Sequence, residues 1–176
     1  MSKSYDMYNE EDCIELMKVN PWTLQYVHDQ THEICLTAVQ KDGCVLRCVK
    51  NQTHEICLEA VKQDGHALES VINQTEEICI EAVKQNGYAL KYVNNQTEKI
   101  CIAAVEEDGN ALQYVKEQTK EICSIAFKQN IRSLKYIKEQ TFDMCLEAIK
   151  KDKRNVKYVD KLRFPEIIEI WRLMYE

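Results

Sequence analysis

A cysteine returns every 22 residues along this chain, at Cys13, Cys35, Cys57, Cys79, Cys101, Cys123 and Cys145. The residues around it return as well, most cleanly as TEEICIEAVKQNGYALKYVNNQ at positions 75–96. A fixed period of this length marks an array of units that bury their apolar faces against one another. The fold class expected is therefore all-α: a right-handed α-solenoid of 22-residue helix-turn-helix repeats closed by a C-terminal capping helix.

Aligned on the cysteine, the 176 residues divide into a lead-in at 1–8, seven repeats over 9–162 and a remainder, RFPEIIEIWRLMYE, at 163–176. All are expected to form a single helical-repeat domain. Each repeat opens on a residue that caps helices: Asn9, then Thr31, Thr53, Thr75, Thr97, Thr119 and Thr141. Such a side chain accepts a first-turn N–H, and the acidic residues that follow, Glu76 and Glu77 for example, suit the positive end of a helix dipole. In the fourth repeat Ile78, Cys79, Ala82 and Val83 hold the i, i+1, i+4, i+5 spacing of one helical face, with Ile80 widening the stripe.

Asp42-Gly43, Asp64-Gly65, Asn86-Gly87 and Asp108-Gly109 end that helix. The glycines are expected in a left-handed C-terminal conformation. Where glycine is missing, Pro21 is expected to start the next helix, and Asn130 and Asp152 to take the left-handed position themselves. A second helix follows, with Leu24, Leu46, Leu68, Leu90, Leu112, Leu134 and Val156 as its central column and Val27 to Val159 three positions later. The expected unit is a helix of about 11 residues, a glycine turn and a helix of about 7–8. Gln30, Gln52, Gln74, Gln96, Gln118 and Gln140 precede the caps and are expected to form a structural ladder that satisfies loop backbone groups.

The ends should differ, having one neighbour each. Asp12 and Leu16 replace the column's Ile and Ala in the first repeat. Residues 165–175 should form the capping helix, with Ile167, Ile168, Ile170, Trp171 and Met174 over the last exposed face. Trp171, Met174 and Tyr175 are also the candidate oligomer contact, so a homodimer is one expectation.

Nine cysteines raise the question of disulfides. Seven occupy equivalent helical positions, and packed helices about 8–10 Å apart hold such Cα atoms beyond disulfide reach. They read as small reduced core residues. Cys44 falls in a column that is otherwise polar or aromatic and is expected to be an exposed thiol.

With 45% hydrophobic and 30% charged residues, the composition is that of a soluble protein, and the start, MSKSYDMYNEEDC, lacks a secretory layout. No stretch is long and apolar enough for a membrane span. A cytosolic or nuclear protein is expected, cytoplasmic in the first instance. The sequons at Asn51, Asn73 and Asn95 are discounted, because each threonine is needed as a cap.

The phrases EEICIEAVKQNGYALKYVNNQT and EICLEAVKQDGHALESVINQT resemble a family of tandem short-helix repeats of unknown function. That family is abundant in amoeba-infecting giant DNA viruses and occurs in some bacterial proteins. The resemblance spans about residues 9–162 and is strongest in A-V-K-Q-[DN]-G at 60–65 and 82–87 and in A-L-x-Y-V at 89–93. It implies a helical array and a giant-virus origin, and carries over no catalytic residue.

Catalytic signatures are absent. His28, His32, His54 and His66 lack metal-type pairing, no phosphate-binding glycine loop occurs, and Glu55, Glu59, Glu77 and Glu81 with Lys62 and Lys84 read as ordinary exposed helix pairs. No enzyme activity, cofactor or metal is expected. Recognition should lie in residues that vary between repeats. Tyr92, Tyr114, Tyr136 and Tyr158 form a column on the second helix, near Arg132, Lys135 and Lys157. The leading expectation is a scaffold that binds another protein, viral or host. The alternative is single-stranded RNA gripped by that column and the basic C-terminal half. The net charge of -6 disfavours nucleic acid, although residues 1–88 carry 7 basic and 15 acidic side chains (net -8) and residues 89–176 carry 16 and 14 (net +2).

Overall fold

The computed structural model describes residues 9–175; the lead-in at 1–8 lies outside the described residues. Among the described residues run eight α-helices: α1 (Glu10–Val19), α2 (His32–Lys41), α3 (His54–Gln63), α4 (Glu76–Gln85), α5 (Glu98–Glu107), α6 (Lys120–Gln129), α7 (Phe142–Lys151) and α8 (Pro165–Tyr175). Between them stand seven 3-10 helices: η1 (Pro21–Tyr26), η2 (Gly43–Cys48), η3 (Gly65–Ser70), η4 (Gly87–Tyr92), η5 (Gly109–Tyr114), η6 (Ile131–Tyr136) and η7 (Lys153–Tyr158). Each repeat therefore pairs one α-helix with one 3-10 helix, and each packs on its neighbours along the chain, as an α-solenoid of 22-residue units does.

The threonine and asparagine caps form as the sequence dictates. Thr75 Oγ1 accepts the Ile78 N–H, and the corresponding bond recurs in every repeat, from Asn9 with Asp12 to Thr141 with Met144. A bond of this type is worth about 1 kcal/mol. In several repeats the cap hydroxyl also donates to a glutamate one repeat earlier, Thr97 to Glu76 at 2.9 Å and Thr119 to Glu98 at 3.1 Å.

The second element differs from expectation. It is a six-residue 3-10 helix, not an α-helix of seven or eight residues, and the α-helix before it has ten residues. The residue between them explains both changes. Asn86 sits in extended backbone (φ -153°); its N–H donates to Ala82 O and ends α4, while its side chain accepts the Tyr88 N–H and starts η4. One Asx residue closes one helix and opens the next, so no left-handed residue is needed. None of the described residues has positive φ, and Asn130 (φ -145°) and Asp152 (φ -153°) are extended too. Pro21 does start η1, where a missing N–H costs nothing.

The glycines serve close approach instead. A Cβ on Gly65 would lie 2.5 Å from the Ala82 carbonyl oxygen of the next repeat, and one on Gly87 would lie 2.6 Å from Ala104 O. Backbone oxygen cannot yield that space, so glycine is what lets η2 to η5 seat on the following α-helix. The Gly65 N–H in turn donates to Gln85 Oε1 of that helix at 2.6 Å. Ile131 occupies the position in the sixth repeat, and Phe127 stands in α6 where the second to fifth repeats have Val. There α6 and α7 stack least closely of all consecutive α-helices. Asn155, buried where the middle repeats have Ala, donates to Ala148 O at 2.9 Å within the seventh repeat, tying η7 to α7.

The core is one continuous stripe. Ile78, Cys79, Ala82, Val83, Ala89, Leu90 and Val93 of the fourth repeat are all buried, and so are their counterparts in the repeats on either side. At the C-terminal end Ile167 of α8 is fully buried, Trp171 Nε1 donates to Lys153 O at 2.9 Å and Tyr175 Oη donates to Ile149 O at 3.1 Å. The helix at 165–175 thus covers the last repeat.

Candidate interaction surface

Most of the repeated side chains are consumed by structure. Gln74 shows how completely: its Nε2 donates to Tyr92 O (2.9 Å) and Leu68 O (3.4 Å), and its Oε1 accepts the Asn94 N–H (3.0 Å). Gln30, Gln52, Gln96 and Gln140 repeat all three bonds, and Gln118 donates to Tyr136 O and accepts from Lys138. Each amide ties the end of its own 3-10 helix to the next repeat. The cysteine column completes the arrangement, since the Cys145 thiol donates to Gln140 Oε1 at 3.3 Å and Cys57 to Gln52 Oε1 at 3.5 Å. That pairing, five residues apart, was hidden in a column that reads simply as small and apolar.

The nine cysteines are all free. Burial pushes Cys35 and Cys145 up to about 11, and the other buried cysteines shift the same way. Cys44 is not an exposed thiol: it is half-buried and donates to Asp64 Oδ2 of the next repeat at 3.1 Å. Burial first, then Asp64 and Asp42, raise it to about 11, so it stays protonated and unreactive near neutral pH. Among the described residues, no group of three or more His, Cys, Asp or Glu side chains converges as a metal site would require.

The varying residues emerge on two surfaces, one per helical layer. On the 3-10 layer, Tyr92, Tyr114, Tyr136 and Tyr158 end η4 to η7, half-buried, with their rings packed on the core. Edge-to-face contacts join repeats: Tyr88 to Tyr114 with centroids 5.7 Å apart, and His66 to Tyr92 at 6.0 Å. Lysines lie over these rings, Lys91 at 4.4 Å from Tyr92, Lys135 at 4.4 Å from Tyr136 and 6.0 Å from Tyr158, and Lys157 at 4.9 Å from Tyr158. Hydrogen bonding to Tyr92 and Tyr136 holds the Lys91 and Lys135 ammonium groups above their usual range. Arg132 is exposed on η6 but lies over none of these rings; it adds charge near Asp152, which Arg154 holds down to about 2 through paired hydrogen bonds. The tyrosines are thus half core and half surface, with cations poised on the outer half.

The α-helical layer carries the other surface, a groove of about 960 Å³ floored by Ile80, Ile102 and Ala103. Sequence periodicity alone missed it, because its carboxylates read as solvated helix pairs. Of the candidate oligomer residues, Trp171 and Tyr175 are engaged by the last repeat, while Met174 projects outward beside Leu173, 43% and 89% exposed. No helix among the described residues is long and apolar enough to cross a membrane.

Residues 32–74, 53–96 and 97–141 each match one family model, described as a domain of unknown function (DUF4116). No curated protein matches the chain. No solved structure matches it either.

Proposed function

The chain belongs to the DUF4116 family, and from that premise we propose that it is a non-enzymatic scaffold that binds another protein along its 3-10 layer. One observation carries this reading. The side chains repeated in every unit are spent on caps, the glutamine ladder and the core, whereas Lys91, Lys135 and Lys157, which the fold does not need, stand over half-buried tyrosine rings. An aromatic platform edged by exposed cations suits an extended or acidic protein segment: the rings supply contact area at small entropic cost, and the lysines supply charge. The resemblance to repeats common in giant viruses supports a viral protein that meets its partner in the host cytoplasm.

Single-stranded RNA is the second reading, favoured by the same lysine-over-tyrosine pairs. The net charge of -6 works against it. Affinity capture from host lysate, with and without nuclease, compares the natural chain with a Lys91→Glu, Lys135→Glu, Lys157→Glu variant. The expected result is a set of proteins that survives nuclease and is lost in the variant. Recovery of an unchanged set by the variant would remove the 3-10 layer as the binding surface, and loss of binding on nuclease treatment would favour RNA.

A further inference from the structure

The outer side of the α-layer carries an aliphatic column, Ile14, Leu36, Leu58, Ile80 and Ile102, one residue in each of the first five repeats. Each packs on the rim of the core yet remains partly exposed. Beside it runs a second column that reads Glu59 and Glu81, then Ala103 and Ile125. Nothing in the repeat requires that change, since the glutamates of the earlier units occupy the same place without disturbing the stack. Its effect is to widen the apolar floor at α5, where the groove opens. Around that floor stand Glu76, Glu77, Glu81, Glu98, Glu106 and Glu121, against only Lys84 and Lys99. The ion pair of Glu81 with Lys84 (3.1 Å) and the contact of Glu77 with His54 Nε2 (3.2 Å) leave the rim strongly negative.

We propose that this groove binds a cationic amphipathic helix of a partner protein, with the partner's apolar stripe on Ile80 and Ile102 and its Lys or Arg residues against the glutamate rim. The spacing fits. Stacked helices lie about 8–10 Å apart, and residues seven apart on a helix are about 10.5 Å apart. A helix laid across α4 and α5 therefore brings one apolar residue per heptad to each of the two isoleucines. Charge selects among occupants. Phosphate backbones are repelled by the rim. The exposed Leu173 and Met174 of a second copy's α8 come with Glu166 and with a Glu169 that Arg172 pairs at 2.7 Å, a net negative charge like the groove's, so α8 is not the natural occupant.

The test uses the full chain and a labelled peptide of about 18 residues with leucine at heptad positions and lysine elsewhere, long enough to cross about three helices. A second peptide carries the same residues in scrambled order, and a third carries glutamate in place of lysine. Two variants borrow residues that neighbouring repeats already carry, so the fold is kept: Ile102→Ser, as at Ser124, and Glu106→Lys, as at Lys84 and Lys128. Fluorescence anisotropy is expected to show the heptad peptide bound at least about tenfold more tightly than either control. Each variant is expected to weaken it by about fivefold or more, with the Glu106→Lys loss shrinking as salt rises. Glu69→Gln, exposed in η3 on the opposite layer, is expected to leave binding unchanged. Equal affinity for heptad and scrambled peptides, no binding at all, or indifference to both α-layer variants while melting curves remain intact would each overturn the proposal.

Discussion

The side-chain amide of Gln74 donates to the backbone carbonyl of Tyr92, 2.9 Å away and one repeat further along. The same bond joins Gln96 to Tyr114 and Gln140 to Tyr158. These glutamines are the cross-ties of the array, and each serves backbone groups that lie in two successive units. Gln96→Leu, which leaves two carbonyls and the Lys116 N–H without their partner, is expected to lower unfolding free energy by about 1–3 kcal/mol. Urea denaturation followed by circular dichroism checks it. An unchanged midpoint would show that water replaces the amide at no cost.

Gly65→Ala should destabilise the array by about 1–3 kcal/mol, because the added methyl meets the Ala82 carbonyl oxygen and the 3-10 helix must shift to clear it. The cause is steric and lies between repeats, so the loss should appear as a lower denaturation midpoint. A neutral or stabilising result, as expected for glycine replaced in ordinary helical backbone, would contradict it.

Alkaline pH should unfold the protein earlier than its helical content alone suggests. The folded pKa of Cys35, Cys44 and Cys145 is raised from 9.0 to about 11, so their contribution to stability is complete below pH 9 and is lost as pH rises to about 11. Melting temperature measured from pH 7.5 upward is expected to fall across that window. Cys145→Ala should flatten the fall; an unaltered slope would show that other groups set it.

Trp171→Phe removes the indole N–H that Lys153 O accepts while keeping an aromatic ring over the last repeat. A loss of about 0.5–1.5 kcal/mol is expected, with the molecular mass in light scattering unchanged. A change of mass without a change of stability would instead place Trp171 in a contact between copies.

The parts of this fold that were legible in the sequence are those where one residue does one job. Thr75 in front of an acidic, then apolar, run can only be a cap, and Gln74 before it belongs to the connecting loop. Asn86-Gly87 was ambiguous, because the pair suits a left-handed helix end as well as an Asx turn with a close approach behind it. Only the contact with Ala104, one repeat away, distinguishes them. The 3-10 character of the second helix was written in the three-residue step from Leu90 to Val93, where Val93 N–H donates to Leu90 O at 3.2 Å, but an α-helix tolerates that step too. Of the candidate surface, the tyrosine column was visible as a column. Its half-burial and the placing of Lys135 over Tyr136 were not, since both depend on how far each repeat is turned against the next. The groove over Ile80 and Ile102 was concealed by the same dependence.

Hydrogen exchange of the array, alone and with a partner protein captured by it, tests most directly the claim that recognition lies in the residues that vary between repeats. The account predicts slowed exchange along η4 to η7 and their connecting segments, at and after Tyr92, Tyr114, Tyr136 and Tyr158. Protection confined to the two ends of the array, with η4 to η7 exchanging as in the free chain, would contradict it.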